Sequence, residues 1–295
     1  MNSEEVKNLK LEILIQEHFD NLTKSEKRIA SFLLQKPEEA AFLSISELAA
    51  QLDLSEATAV RFAQSLGFNG YPDLREMLQA SFRHQVTHST RIKERLSELR
   101  QDGNIFEQLV ASEIDYLTQA LRTVDRAAIE QAVELIKNSE RIFIFSLGPS
   151  IPLVDLLEIR LTRFGRHVVT MTTTGREILE PLLLLNNRDV LFAIAFFTAT
   201  PTLKFVLDYA QKVECPAVLL TDTLEPVVGD KARVVLAARR GPVSSFHSLT
   251  VPMTIINAIL LTLAQTDQER TLSHLDLLDE LRRSYSFPSG AEDKK

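Results

Sequence analysis

Between positions 44 and 64 the chain sets out Ser44, Ser46, Ser55, Glu56, Thr58, Arg61 and Gln64, with Lys24 upstream. Hydroxyls, a carboxylate, a guanidinium and a carboxamide at this spacing can pair with base edges and phosphate oxygens. The same array also describes the wet face of an ordinary helical hairpin. A second group holds Ser146, Gly148, Ser150, Thr198 and Thr200, with Ser244 and Ser245 further on. These residues sit in short segments that lead into helices, where hydroxyls and free amides suit an anion or a small polar ligand.

Positioning the first group takes two short helices. They lie in the run SISELAAQLDLSEATAVRFAQSLG that ends at Gly67. The first reads as starting at Ser46, with Ile45, Leu48, Ala49 and Leu52 apolar, and Asp53-Leu54-Ser55 breaks it. Ser55 can cap the second helix by accepting from a first-turn amide. That helix is expected to bury Ala59, Val60, Ala63 and Leu66 and to carry Glu56, Thr58, Arg61 and Gln64 outward. Gly67 stands where a left-handed C-cap belongs. The pair reads as a helix-turn-helix whose second helix enters the major groove. Upstream, Thr23 and Glu26 spell a capping box for a helix with Ile29, Ala30, Leu33 and Leu34 on its apolar face, stopped by Pro37. Downstream, NGYPDLREMLQ is a turn and a helix from Pro72.

The order of residues in LTKSEKRIASFLL and AFLSISELAAQLDLSEATAVRFAQSLGFNGYPDLREML closely resembles the N-terminal domain of RpiR-type bacterial transcriptional regulators. The resemblance spans the whole N-terminal segment. It implies operator binding there and a sugar isomerase (SIS) domain in the second half.

Composition bounds the alternatives. The 295 residues suit two domains, and 45% of them are hydrophobic, enough for substantial cores. There is no Trp, so 16 Phe supply most of the aromatic packing. A single cysteine, Cys215, excludes an internal disulfide and fits a reducing, cytoplasmic setting. Its place before Pro216 favours burial over nucleophilic duty. No signal peptide is legible, and the uncharged run from Ser248 to Gln265 is broken by Pro252, so no membrane association is expected. The net charge is −7, and residues 1–100 hold 13 Lys and Arg against 15 Asp and Glu. Phosphate affinity then depends on local cations, with Lys24, Lys27, Arg28, Arg61, Arg75 and Arg83 as candidates.

Residues 84–104 are polar and charged, as in a linker, and His84 and His88 read as solvated rather than as metal ligands. From residue 105, helices alternate with short apolar strands: RIFIFSLG, HVVTMTTT, DVLFAIAFF, PAVLLTD and ARVVLAA. Such alternation indicates a doubly wound parallel sheet covered on both faces. REILEPLLLL and the apolar stretch 249–264 read as helices, and 271–295 as a C-terminal tail. The expected division is 1–83, 84–104, 105–270 and 271–295. The fold class is α/β: an all-α helix-turn-helix domain followed by a doubly wound parallel-sheet domain.

Helix, then RIFIFSLGPS, then an α/β unit looks like a SIS domain over about residues 105–267. In that resemblance the phosphate-holding loop runs Ser-x-Ser-Gly-x-Thr. Here it reads Ala195, Phe196, Phe197, Thr198, Ala199 and Thr200, which keeps only the final Thr. The expected pocket lies between Ser146–Ser150 and Thr198–Pro201, with a ligand less anionic than usual or one reaching Arg239 or Arg240. An isomerase needs an acid and a base over the substrate carbon. Glu177, Asp222 and His247 are the candidates, and no two have catalytic spacing.

These readings converge on a regulator that binds duplex operator DNA and senses a small metabolite, a sugar phosphate or related carbohydrate. It is expected to work as a homodimer or tetramer without cofactor or metal. The alternatives are a sugar-phosphate isomerase-like enzyme with an accessory helical domain, and a structural interaction module.

Overall fold

The computed structural model describes residues 14–15, 17–85, 92, 104–222, 224, 228–240 and 248–285. Contacts divide the chain into two compact units, Met1–Tyr116 with Arg240–Ser248, and Leu117–Arg239 with Leu249–Lys295. The first unit is helical: α1 (Lys24–Gln35), α2 (Pro37–Phe42), α3 (Ile45–Gln51), α4 (Glu56–Ser65) and α5 (Tyr71–Gln85).

Caps define these helices. Thr23 Oγ1 accepts from the Glu26 amide, and the Glu26 carboxylate accepts from the Thr23 amide, so the capping box forms. A second box starts α3, between Ser44 and Glu47. The helix therefore begins at Ile45, not Ser46, because only Ser44 has a glutamate three residues ahead. Two Schellman motifs end the helix pair. Leu54 N–H donates to Ala49 O at 2.8 Å and Phe68 N–H to Ala63 O at 3.1 Å. The left-handed residues between are Asp53 at φ 50 and Gly67 at φ 89.

The core of this unit gathers Ile29, Ala30, Leu33, Leu48, Ala59, Phe62, Ala63, Leu66 and Leu74. Phe62 is fully buried, whereas Val60 is only half-buried. The expected apolar face of α4 is therefore turned slightly, with the large aromatic ring at its centre. Along α5, Tyr71, Arg75 and Gln79 follow one another at i, i+4 spacing. They donate to the otherwise orphaned carbonyls of Leu43, Phe42 and Ala41 at the end of α2.

The second unit is an all-parallel sheet in the order β2-β1-β3-β4-β5. Its strands are β1 (Ile142–Ser146), β2 (Val168–Met171), β3 (Val190–Ile194), β4 (Ala217–Thr221) and β5 (Val234–Ala237). Every residue of β1, β3 and β4 is buried, which is why these strands read as continuous apolar runs. Helix α6 (Ile105–Thr123) runs through the division at Tyr116 and Leu117, and the helices of the second unit are α7 (Arg126–Asn138), α8 (Ile151–Arg163), α9 (Leu179–Leu182), α10 (Pro201–Lys212), α11 (Thr250–Thr266) and α12 (Gln268–Ser284). One face packs Phe143, Phe145, Leu191 and Leu219 against Ile178, Leu182, Leu203 and Leu207. The other is covered by α7, α8 and α11. At the N-terminal edge, Arg141 grips the buried Asp189 with two bonds, Nε to Oδ1 at 3.0 Å and Nη2 to Oδ2 at 2.9 Å.

Two expectations are corrected here. REILEPLLLL is not one helix but a 3₁₀ turn, Gly175–Ile178, followed by the four-residue α9. Pro181 removes an amide that a longer helix would need. The stretch from 271 is not all tail, because α12 runs to Ser284. It buries only Thr271, so it lacks a strong apolar pattern and is anchored by polar contacts instead. Arg166 pairs with Asp267 and donates to Lys137 O at 2.8 Å, and Arg270 donates to Gly165 O at 2.5 Å.

Candidate functional site

In the helical unit, α3, the turn at Asp53 and α4 form the helix-turn-helix. Ser55 caps α4 by accepting from the Thr58 amide at 3.3 Å. Glu56, Arg61 and Gln64 are exposed along α4. Thr58 is not, contrary to expectation. It is 8% exposed, and its hydroxyl is bonded to Ser55 Oγ at 2.9 Å, which draws it into the first turn. Ser44 and Ser46 stand at the start of α3 with their hydroxyls 3.1 Å apart, and Lys24 is exposed at the start of α1.

Arg28, one turn beyond Lys24, donates to Leu52 O at 2.5 Å. That bond places α1 directly beside the turn of the motif. Among the expected phosphate ligands Arg75 is withdrawn, because its guanidinium is buried and spent on the end of α2. The side chain of Arg83 lies outside the described residues.

In the α/β unit the strand order changes direction between β1 and β3, and in sheets of this kind ligands bind in the crevice outside the C-terminal strand ends at such a switch point. Ser146 and Ile194 are in register there. Ser146 is fully buried, and its Oγ has no hydrogen-bond partner. Gly148 is exposed at φ 64 and begins a 3₁₀ turn that ends at the buried Ser150, just before α8. Across the crevice, Thr198 is exposed. Thr200 is committed as the N-cap of α10, accepting from Leu203 N–H at 3.1 Å. Ser244, Ser245 and His247 lie outside the described residues. Arg240 is buried.

Asp222, one of the acid–base candidates, stands directly after β4. Asp222 Oδ1 accepts from the Phe197 amide at 2.9 Å, tying the β3–α10 loop to the end of β4. The signal available in the sequence was an acid directly after an apolar strand, too common to single out. Thr172, Thr173 and Thr174, at the end of β2 on the same edge, also escaped notice. Cys215 is buried with its thiol donating to Asp189 O at 3.5 Å. Burial, and then the Asp189 charge, push its pKa up to about 12, so the thiolate nucleophile is not available.

Comparison with known proteins places these geometries. Residues 9–85 match the helix-turn-helix domain of the rpiR family. The chain is 27% identical over 216 residues to the transcriptional regulator HexR of Escherichia coli K12, covering 72% of each. The fold is shared with the NanR protein of Vibrio vulnificus, solved in complex with ManNAc-6P. That likeness has a TM-score of 0.62 at 21% identity and covers 94% of this chain and all of the other. It is shared also with the sugar isomerase domain of an RpiR transcription factor from Sphaerobacter thermophilus. There the TM-score is 0.55 at 24% identity, over 59% of this chain and 97% of that one. Among the described residues no helix is long and apolar enough to cross a membrane.

Proposed function

We propose that the chain is an RpiR-type transcriptional regulator, with a helix-turn-helix domain followed by a SIS-fold domain, and that it switches operator binding in response to a sugar phosphate. The observation that carries the reading is the pairing of a capped α3–turn–α4 with the buried, unpartnered Ser146 hydroxyl at the β1/β3 switch point. Helix α4 enters the major groove with Glu56, Arg61 and Gln64 toward base edges, while Ser44, Ser46, Ser55 and Lys24 meet phosphates. The effector sits at Ser146, Gly148, Ser150 and Thr198. Thr58 and Thr200 contribute through the caps they complete. The NanR complex with ManNAc-6P supports a phosphorylated sugar in this fold.

The protein senses its ligand and does not convert it. Asp222 is tied to a backbone amide, which supports a structural part for it rather than a proton-transferring one. It acts as a homodimer or a dimer of dimers, because one helix-turn-helix reads one half-site and partners lie about one helical turn apart. Helix α6 supports that reading. It buries none of its residues and exposes Phe106, Val110, Ile114 and Leu121. Helix α11, expected to share this duty, is mostly occupied within its own unit, leaving Met253 and Leu261 outward.

The test is operator selection followed by fluorescence anisotropy. A defined operator should be recovered, and a sugar phosphate should shift its affinity without being consumed. A selection with no sequence preference overturns the DNA reading, and turnover of the sugar overturns the sensing reading.

A further inference from the structure

The outward side of α4 carries an apolar strip that folding does not account for. Successive helix residues turn by about 100°, so Ala57, Val60, Arg61 and Gln64 share one side. Thr58, Ala59, Phe62 and Ala63 occupy the other and are buried. Ala57 and Gln64 fall at the middle of the outward side, with Val60 and Arg61 flanking them. Ala57 is exposed and Val60 half-buried. Among the described residues, neither joins the core of the helical unit or the half-buried apolar residues packed against it. Ala57 is also the second residue of α4, in the turn that Ser55 caps. That end of a recognition helix meets the base edges. A side chain there with no donor or acceptor cannot read a base by hydrogen bonding.

We propose that Ala57, with Val60 beside it, reads thymine: its methyl group packs on the C5 methyl of a thymine in each operator half-site. The proposal rests on the reading of α4 as the recognition helix. Thymine alone among the four bases carries a methyl group on its major-groove edge. Contact between the two methyls removes both from water, and dispersion adds to the gain. The occupant follows from continuity with the DNA-reading surface. Around the helix the strip lies between Glu56 and Arg61, whose charged groups face the groove in that reading. The shortness of the side chain matters as well. A longer residue at position 57 would hold the first turn of α4 off the base edges. Arg61, one turn further along, would then fall short of a guanine.

The test removes the thymine methyl without touching the protein. An operator is recovered by selection with the full-length protein, and each half-site thymine is replaced in turn by deoxyuridine. Deoxyuridine keeps the pairing edge and the O4 acceptor and lacks only the C5 methyl. Anisotropy titrations at fixed salt give the affinities. At one or two positions the wild type should bind the deoxyuridine operator about fourfold more weakly, the effect of one buried methyl group. Ala57→Gly should bind the thymine and deoxyuridine operators equally there. Glycine also loosens the helix, but a purely structural loss weakens both operators alike and leaves their ratio unchanged. A half-site without thymine, or one that tolerates deoxyuridine at every position, overturns the proposal. So does a ratio that survives Ala57→Gly. If selection yields no preferred sequence, the DNA reading itself fails first, and this inference falls with it.

Discussion

A Cβ atom on Gly165 would lie 2.5 Å from His274 Cδ2 and Nε2, so the imidazole rests directly against the glycine backbone. Gly165 is also the left-handed residue that ends α8, at φ 74. Arg270 reaches the Gly165 carbonyl from one turn before His274 on the same helix. Gly165→Ala therefore adds both backbone strain and a clash, and should destabilise the α/β unit by about 2 kcal/mol or more. Hydrogen exchange along α12 should rise with it. Coupling is the discriminating measurement. His274→Ala in the same chain should recover the clash part, while the strain at φ 74 remains.

The same helix-ending motif recurs with two acidic residues in the left-handed position, Asp53 after α3 and Glu214 after α10, at φ 50 and φ 57. Cys215 N–H donates to Ala210 O and Glu214 N–H to Gln211 O, completing the second of these. A left-handed L-residue costs about 1–2 kcal/mol, and glycine returns part of that gain through unfolded-state entropy. Glu214→Gly should stabilise by about 0.5–1 kcal/mol in chemical denaturation. Asp53→Gly should gain less, because Asp tolerates this region better. A loss of stability at Glu214→Gly would show that its side chain holds something the backbone argument omits.

Alkaline pH should destabilise the protein. Burial raises the Cys215 thiol from 9.0 to about 12 in the folded state. Burial likewise raises the Tyr71 phenol from 10.0 to about 12, as its hydroxyl donates to Leu43 O. Both groups are neutral when protonated, and both have folded values above the unfolded ones. Their stabilisation is complete below pH 9 and is lost as pH climbs from there toward 12. Melting curves between those limits should show a steep fall. Tyr71→Phe should flatten the part belonging to the helical unit, and Cys215→Ala the part belonging to the α/β unit. Folded Cys215 should resist alkylation at pH 8 and react only on unfolding.

Much of this architecture is local in origin and was legible for that reason. Thr23 with Glu26, Ser55 before α4, Gly67 after it, and the uninterrupted apolar strands are short-range signals. What escaped depends on distant partners. The inward turn of Thr58 follows from a hydroxyl pair with Ser55 that spacing alone does not reveal. Helix α12 is held by Arg166, Gly165 and their partners about a hundred positions away, which leaves no periodicity to read. The tie between Asp222 and Phe197 needs the strand register before it has meaning. Arg75 has the charge expected of a phosphate ligand, and only packing shows that it faces inward.

Arg75 and Arg61 therefore make opposite predictions from the same side-chain type. Arg75 donates to Phe42 O at 2.8 Å from a buried position, beside Gln79 and its 3.0 Å bond to Ala41 O. Arg75→Ala should leave those carbonyls under-satisfied and cost the helical unit about 2–3 kcal/mol. Any loss of DNA binding should then track unfolding. Arg61 is exposed on α4. Arg61→Ala should leave thermal melting unchanged while weakening operator binding by about 1–3 kcal/mol if it reads a base. If it meets phosphate instead, the log–log salt slope should fall by about one unit and all sequences should weaken alike. Anisotropy titrations at several salt concentrations separate the two. An Arg61→Ala protein that binds operator as tightly as wild type would remove α4 from the groove.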